Sequence, residues 1–317
     1  MSDLGRIVVL AGGLSHEREV SLRSGRRVSD ALLDIGADVE LRDADADLLP
    51  ALTADPPAAI FPALHGAAGE DGAIRDILDL LDIPYVGASP DACRIAFDKP
   101  AAKSVVRAAG LATPASVALP REIFHDLGAD KVLERVGERL GFPLFVKPSQ
   151  GGSALGAGIV RRSDDLPGAM IGCFGYGEVA LIERYVEGTE VAVSVVDFGH
   201  GPEALPAVEI VPDGAAYDYA ARYTAGRTQF FTPARLSGEA SRAASEAAVT
   251  AHRALRLRDV SRTDMIVDPD GVVQFLEVNV APGMTETSTL PMAAEAADVE
   301  LGSLCRDFLH VASARAS

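Results

Sequence analysis

The chain has 317 residues, of which 48% are hydrophobic and 24% charged, a balance typical of a globular protein with more than one folding unit. Its formal charge of −17 argues against nucleic acid or an anionic membrane as the main partner. The three cysteines are far apart, no signal-peptide pattern is present, and no apolar run approaches the roughly 18 residues of a membrane helix. These features predict a soluble, cytoplasmic protein.

The first 90 residues alternate between predicted strands and helices. An apolar strand over 6–11 runs into the Gly12-Gly13 turn, and apolar spacing predicts a helix from Glu17 to Ile35 that ends at Gly36. Further strands are predicted over 37–41, 59–64 and 84–87, with a helix over 72–81. Such alternation predicts an α/β fold with a doubly wound parallel sheet, whose ligands gather at the carboxyl ends of the strands. His65 follows one of these ends.

From residue 91 onwards the pattern becomes α+β. A strand over 143–148, a glycine-rich loop over 150–158 and a strand from 159 predict a hairpin with a flexible tip. Helices are predicted over 98–109 and 238–255, strands over 179–186, 190–197 and 203–211, and a polar loop over 213–233. We predict three domains, at 1–90 (N-terminal α/β), 91–187 (central) and 188–317 (C-terminal, catalytic).

Three oxygen-bearing side chains mark the last two predicted strands. Glu277 and Asn279 end one strand and share a face of it, and Asp264 lies on the strand before. Oxygen ligands of this kind suit Mg²⁺, which usually brings phosphates with it, so the trio predicts a cradle for Mg-ATP. An acidic strand end with a Pro-Gly turn is the alternative that this trio alone leaves open.

Other charged residues fit the same hypothesis. The glycine-rich loop offers backbone N–H groups to phosphates, and Lys147 ends an apolar strand where a buried ammonium needs an anionic partner. Glu183 and Glu190 flank apolar residues suited to adenine and ribose, although acidic residues beside a turn are equally common on ordinary surfaces. Arg262 shares a strand face with Asp264, where its charge suits a developing anion. A mobile hairpin and a solvated lysine remain alternatives.

Taken together, the motifs resemble those of the D-alanine–D-alanine ligase family within the ATP-grasp enzymes. The resemblance extends over nearly the whole chain. The matching strings are Ser15-x-Glu17-Arg18-Glu19-Val20-Ser21, Ala63-Leu64-His65-Gly66-x-x-Gly69-Glu70-Asp71-Gly72, Asp98-Lys99, Val146-Lys147-Pro148, Gly152-Ser153, Tyr217-Asp218-Tyr219 and Glu277-x-Asn279-x-x-Pro282-Gly283-Met284-Thr285.

This resemblance implies a three-domain ATP-grasp fold, with ATP between the central and C-terminal domains, and a role for each matching residue. Nucleotide binding falls to Lys99, Lys147, Glu183, Val186, Glu190 and Arg222. The implied ligands of two Mg²⁺ ions, or of Mn²⁺ in their place, are Asp264, Glu277 and Asn279. Substrate binding falls to Glu17, His65, Arg262, Gly283 and Ser288, and catalysis to Glu17, Ser153, Tyr223, Arg262 and Gly283.

The implied reaction is ATP-dependent ligation of two D-alanines through an acyl phosphate, for peptidoglycan precursor synthesis, by a homodimer. Arg222 and Thr289 stand where the family usually has lysine and leucine, so D-lactate, D-serine or another amino acid stays open as second substrate. A non-catalytic nucleotide-binding relative is disfavoured by the complete set of metal ligands. A nicotinamide oxidoreductase is excluded because Gly12-Gly13 lacks the rest of the dinucleotide fingerprint.

Overall fold

The first sheet of the computed structural model, which describes residues 4–214 and 226–315, is parallel and lies near the N-terminus. Its strands are β1 (Ile7–Ala11), β2 (Val39–Asp43) and β3 (Ala59–Pro62), in the order β2-β1-β3. Helices α1 (Arg18–Asp34), α2 (Leu48–Ala54), α3 (Ala67–Glu70) and α4 (Ala73–Leu80) connect and follow them. Alternate residues of β1 enter different cores, Ile7 with α1 and Val8 with α2 and α4, which confirms the doubly wound sheet.

One prediction for this region is wrong, and one helix was not predicted. Residues 84–87 do not form a fourth strand: Tyr85 makes one parallel bridge to Ile60, because Gly87 at φ 105° turns the chain away. Helix α2 was not predicted, since its seven residues provide only Leu48 and Leu52 as buried positions, too few for a clear period.

The second sheet is antiparallel. After α5 (Pro90–Phe97) and α6 (Lys99–Ala108), the chain forms β4 (Ser116–Pro120), α7 (Arg121–Leu127), α8 (Ala129–Leu140), β5 (Leu144–Pro148), β6 (Gly158–Val160), α9 (Leu166–Phe174) and β7 (Val179–Arg184). The strand order is β4-β7-β5-β6. Strands β5 and β6 pair directly, so the predicted hairpin with a glycine-rich tip is confirmed.

The third sheet carries the three predicted metal ligands and Glu190. It contains β8 (Thr189–Val196), β9 (Glu203–Ala204), β10 (Val208–Pro212), β11 (Thr228–Phe231), β12 (Val260–Val267) and β13 (Val273–Asn279). The order is β11-β10-β8-β12-β13, with β9 on β8, and α10 (Gly238–Ala254) packs against the sheet. The predicted polar loop over 213–233 is wrong at its end, where β11 pairs with β10 through Phe231 and Glu209.

Two cores pack helices against the first and third sheets. The last helices, α11 (Thr289–Ala296) and α12 (Leu301–Ala314), return to the first sheet, where Phe308 packs in the same core as α1 and β1. Helix α6 shares a second core with β13 through Val106 and Phe275. The helix that starts at Lys99 is thereby held against the strand that ends at Asn279. Over the described ranges, each helix is too short or too polar to cross a membrane.

Candidate active site between the second and third sheets

A β-bulge sets the acidic edge of the site. Asp264 on β12 pairs with Glu277 on β13, but the next residue, Met265, pairs with Phe275, so Leu276 is the extra residue. In a regular strand Leu276 and Glu277 would point to opposite faces, whereas here both line the same cavity. The sequence pattern predicted that the two carboxylates lie on neighbouring strands, and the pairing confirms it.

Arg262 neutralises one of these carboxylates. Its Nε donates to Asp264 Oδ1 at 2.7 Å and its Nη2 to Oδ2 at 2.8 Å, a bidentate pair with both side chains mostly buried. The two residues share a face of β12, as the spacing predicted. Arg262 therefore brings a fixed positive charge to the acidic edge.

Two lysines converge on a buried glutamate. The Nζ of Lys147 lies 2.9 Å from Glu183 Oε2, and the Nζ of Lys103 lies 2.5 Å from Oε1. Burial lowers the pKa of Lys103 to about 8. Burial also opposes the charge on Lys147, but attraction by Glu183 and Glu277 outweighs it and raises that pKa above its usual value. Lys147 is therefore held as a cation, in line with the anionic partner that its sequence position requires.

A cavity of about 440 Å³ lies between the second and third sheets, and its lining includes Lys147, Glu183, Asp264 and Glu277. Lys99 donates from Nζ to the Gly151 carbonyl oxygen at 2.7 Å and lies 3.6 Å from Glu277, so it ties the glycine-rich loop to the acidic edge. Tyr185 and the apolar Val186 also line this cavity. The predicted nucleotide residues that line this cavity are Lys99, Lys147, Glu183, Val186 and Glu190.

A second, smaller cavity of about 100 Å³ opens beside the first. Lys99, Asp264 and Glu277 belong to the walls of both, so the two spaces meet at the acidic edge. The sequence-predicted residues that line the smaller cavity are Glu17, His65, Ser153, Arg262, Asn279, Gly283 and Ser288. Residues far apart in the chain are thus brought to one small polar space.

Glu17, immediately before α1, is the carboxylate at the N-terminal side of this cavity. Ser153, in the glycine-rich loop, donates its hydroxyl to Glu17 Oε1. Gly66 approaches so closely that a Cβ there would lie 2.6 Å from Glu17 Oε2, and its φ of 70° also favours glycine. The carboxylate is therefore enclosed by backbone and by one hydroxyl, in a position suited to hold an ammonium group.

Two further buried ionisable residues, His65 and Glu70, line the smaller cavity together with Glu17. Burial lowers the pKa of His65 to about 4, so its ring is neutral; Nδ1 lies 3.1 Å from the Ala281 carbonyl oxygen and Nε2 lies 2.9 Å from Ser24 Oγ. Burial, with repulsion by Glu17, raises the pKa of Glu70 to about 8, and Glu70 Oε1 accepts the Gly66 N–H at 2.8 Å. Glu70 therefore holds a proton at neutral pH.

Sequence reasoning missed Lys103 and Glu70. Lys103 follows Lys99 by four residues on α6, so helical spacing already places both on one face. Glu70 stands within a quoted motif, but only the packing around it shows its burial. Two predicted residues, Arg222 and Tyr223, lie outside the described residues.

The comparisons with known proteins agree with this geometry. The family model described as D-ala D-ala ligase C-terminus matches residues 105–310, more than half of the chain. The chain belongs to the D-alanine–D-alanine ligase family. Its members are ATP-dependent carboxylate–amine ligases with the ATP-grasp fold, so the predicted family, fold class and enzyme class are confirmed.

Individual relatives cover nearly the whole chain. The D-alanine–D-alanine ligase of Anaeromyxobacter dehalogenans is 41% identical over 98% of both chains. The crystal structure of the Bacillus anthracis D-alanine–D-alanine ligase covers 98% of both chains with a TM-score of 0.83 and 32% identity, and its complex with ATP scores 0.81 at 30% identity and the same coverage. The VanG D-Ala:D-Ser ligase of Enterococcus faecalis covers 97% of this chain and 99% of its own, with a TM-score of 0.82 and 27% identity.

Proposed function

We propose that this protein joins two D-alanines to D-alanyl-D-alanine, converting ATP to ADP and phosphate, in the supply of peptidoglycan precursors. The observation that carries the proposal is the junction of the two cavities at Asp264 and Glu277. The larger space suits a nucleotide, and the smaller space suits a substrate of alanine size. Family membership also supports a cytoplasmic location and a homodimer.

In the larger cavity, Lys99 and Lys147 take the nucleotide phosphates. Both ammonium groups stand at the acidic edge, within 4 Å of Glu277. The apolar wall at Val186 takes the adenine ring, and Glu190 accepts from the ribose hydroxyls. Glu183 holds the ammonium groups of Lys103 and Lys147 in place, because each of its two oxygens is paired with one of them.

Asp264, Glu277 and Asn279 supply two carboxylates and one amide, the hard oxygen donors that Mg²⁺ prefers. These three residues would hold two Mg²⁺ ions, or Mn²⁺ in their place, at the junction of the two cavities. When bound, the metal supplies charge neutralisation for the transferred phosphoryl group. Arg262 holds Asp264 in place and keeps a positive charge beside the reacting carboxylate.

In the smaller cavity, Glu17 takes the ammonium of the first D-alanine and Ser153 orients Glu17. A carboxylate oxygen of this D-alanine accepts the γ-phosphoryl group of ATP, and ADP leaves. The amine of the second D-alanine, whose carboxylate is held by Ser288 and Arg262, attacks the acyl carbon and phosphate leaves. Arg262 and the Gly283 N–H face the negative charge that develops on the acyl oxygen. On the resemblance, Arg222 is proposed to bind the nucleotide, and Tyr223 to orient Glu17 together with Ser153 and to close the loop over the site.

The experiment is phosphate release from ATP and Mg²⁺ across a panel of D- and L-amino acids and D-lactate, with products identified by mass spectrometry. Turnover with D-alanine alone, with a product of dipeptide mass, is expected. Turnover that requires a different pair would refute D-alanyl-D-alanine as the product. No turnover with any member of the panel would refute the ligase proposal itself.

A further inference from the structure

Helix α1 is hydrogen-bonded to the turn that contains Gly283. Ser24 Oγ accepts the Met284 N–H at 3.1 Å, and Arg27 Nη1 donates to the Met284 carbonyl at 3.1 Å and to the Thr285 carbonyl at 2.5 Å. Ser24 is fully buried. The chain at Met284 and Thr285 is therefore anchored to the helix through both its donor and its acceptor groups.

The same hydroxyl contacts His65, and the partners determine where each proton lies. The Ala281 carbonyl can only accept, so His65 Nδ1, at 3.1 Å from it, carries the ring hydrogen. The ring is neutral, hence Nε2 has a free lone pair and accepts from the Ser24 hydroxyl at 2.9 Å. One chain of hydrogen bonds thus runs from the Met284 N–H through Ser24 and His65 to the Ala281 carbonyl.

This chain of hydrogen bonds fixes both sides of Gly283. Ala281 lies two residues before it and Met284 follows it directly. Gly283 lines the smaller cavity and lies on the backbone segment held between these two contacts. The direction of the Gly283 N–H therefore depends on contacts made through Ser24.

Helix α1 also determines how far this turn lies from Glu17. Ser24 follows Glu17 by seven positions, which corresponds to two helical turns, or about 10 Å along the helix axis. A rigid helix that carries Glu17 at its start and holds the Gly283 turn at its second turn sets the span between an ammonium group and a developing anion. Small errors in such a span are costly to a reaction.

We propose that Ser24 is a positioning residue, which holds the Gly283–Thr285 turn at a set distance from Glu17 and uses the neutral His65 ring as a brace. The proposal rests on the proposed function. His65 then acts through its two protein partners, since both of its ring nitrogens are engaged by Ser24 and Ala281.

Ser24→Ala tests this role, and the chain offers a matched control. Ser21, one turn earlier on α1, is equally buried, and its Oγ also links a backbone N–H, that of Gly12 at 2.8 Å, to a carbonyl, that of Ala63 at 2.8 Å. Both variants lose a buried bridging hydroxyl, so similar losses of stability are expected. Only Ser24→Ala removes the contact with the Gly283 turn.

We expect Ser24→Ala to lower kcat for ligation by about 10- to 100-fold, with KM for ATP within about threefold of wild type. For Ser21→Ala we expect kcat within about threefold of wild type. A kcat for Ser24→Ala close to that of wild type would overturn the proposal, as would an equal loss in Ser21→Ala. If the wild type ligates a pair other than two D-alanines, only the identity of the substrates is refuted, and the two variants are compared in that reaction.

A measurement on the wild-type protein tests the same chain of hydrogen bonds without an activity assay. Nitrogen-15 NMR of labelled histidine at pH 7, with His65 assigned by its loss in His65→Gln, reports which ring nitrogen carries the hydrogen. The neutral tautomer with hydrogen on Nδ1 is expected. Hydrogen on Nε2, or on both nitrogens, would break the chain of hydrogen bonds at Ser24 and overturn the proposal independently of any activity.

Discussion

Replacing Glu183 by Gln tests the buried charge cluster beneath the nucleotide cavity. The change keeps the shape of the side chain and removes its charge, so two buried ammonium groups lose a shared carboxylate. Removal of one partner from a buried ion pair costs about 3–5 kcal/mol. Lys147 keeps Glu277 at 3.8 Å, and Lys103 keeps Thr113 Oγ1 at 2.6 Å and the Phe275 carbonyl at 3.2 Å. We therefore expect the lower half of that range, about 3–4 kcal/mol.

The assay is urea unfolding followed by circular dichroism. With an m-value of about 3 kcal/mol/M, the loss moves the midpoint down by about 1 M. Without Glu183 the pKa of Lys103 falls below its present value of about 8, so the variant sheds its buried charge at lower pH than the wild type does. The deficit in unfolding free energy should therefore shrink between pH 7 and pH 9.

Glu209→Gln is the matched control, because Glu209 lines the same cavity and also pairs with a cation. Its partner Arg235 has a side chain that is 56% exposed, and a pair with such access to water contributes at most about 1 kcal/mol. Equal midpoint shifts in the two variants would refute the reasoning that burial of Lys103 and Lys147 makes Glu183 indispensable.

Three more predictions concern single residues. Glu277→Gln should lower ATP-dependent phosphate release at least about 100-fold with an unchanged circular dichroism spectrum, and retained turnover would contradict the metal assignment. Burial lowers the pKa of His252 to about 4, so the unfolded chain binds the proton first as pH falls. This group alone should lower the unfolding free energy by about 2 kcal/mol from pH 7.5 to pH 5, and His252→Leu should lose that share. Burial raises the pKa of Glu70 to about 8, so the folded protein keeps a proton that the unfolded chain releases near pH 4.5. Glu70→Gln should therefore gain stability relative to wild type as pH rises from 5 to 8, and a constant difference in urea midpoint would contradict this.

Local patterns predicted much of the fold because they are set by neighbours in the chain. The alternation over 1–90 predicted the parallel sheet, and the glycine-rich interruption predicted the β5–β6 hairpin. The predictions failed where pairing partners are distant. Strand β11 was read as loop because its strand neighbour, β10, lies across residues that carry no strand pattern of their own.

The candidate site was predicted unevenly, for the same reason. The two strands that carry Asp264, Glu277 and Asn279 were visible in the sequence, and side-chain alternation places Glu277 and Asn279 on one face. The bulge at Leu276 was not, since it depends on the register between β12 and β13. Lys103 and Glu70 were missed because what distinguishes them is burial beside Glu183 and Glu17, residues remote from them in the chain.

By itself, the sequence determined the family, the order of strands and helices, and which side chains are available for the chemistry, since motif identity and periodicity are local properties of the chain. The tertiary structure alone decided which charges share a buried space and which protonation states they adopt. Glu183 pairs with two lysines that come from different elements. His65 is a neutral ring because burial lowers its pKa, and its two nitrogens contact Ser24 and Ala281, which approach from opposite ends of the chain. Desolvation and hydrogen bonding act over a few ångströms in space, and only folding brings those groups within reach.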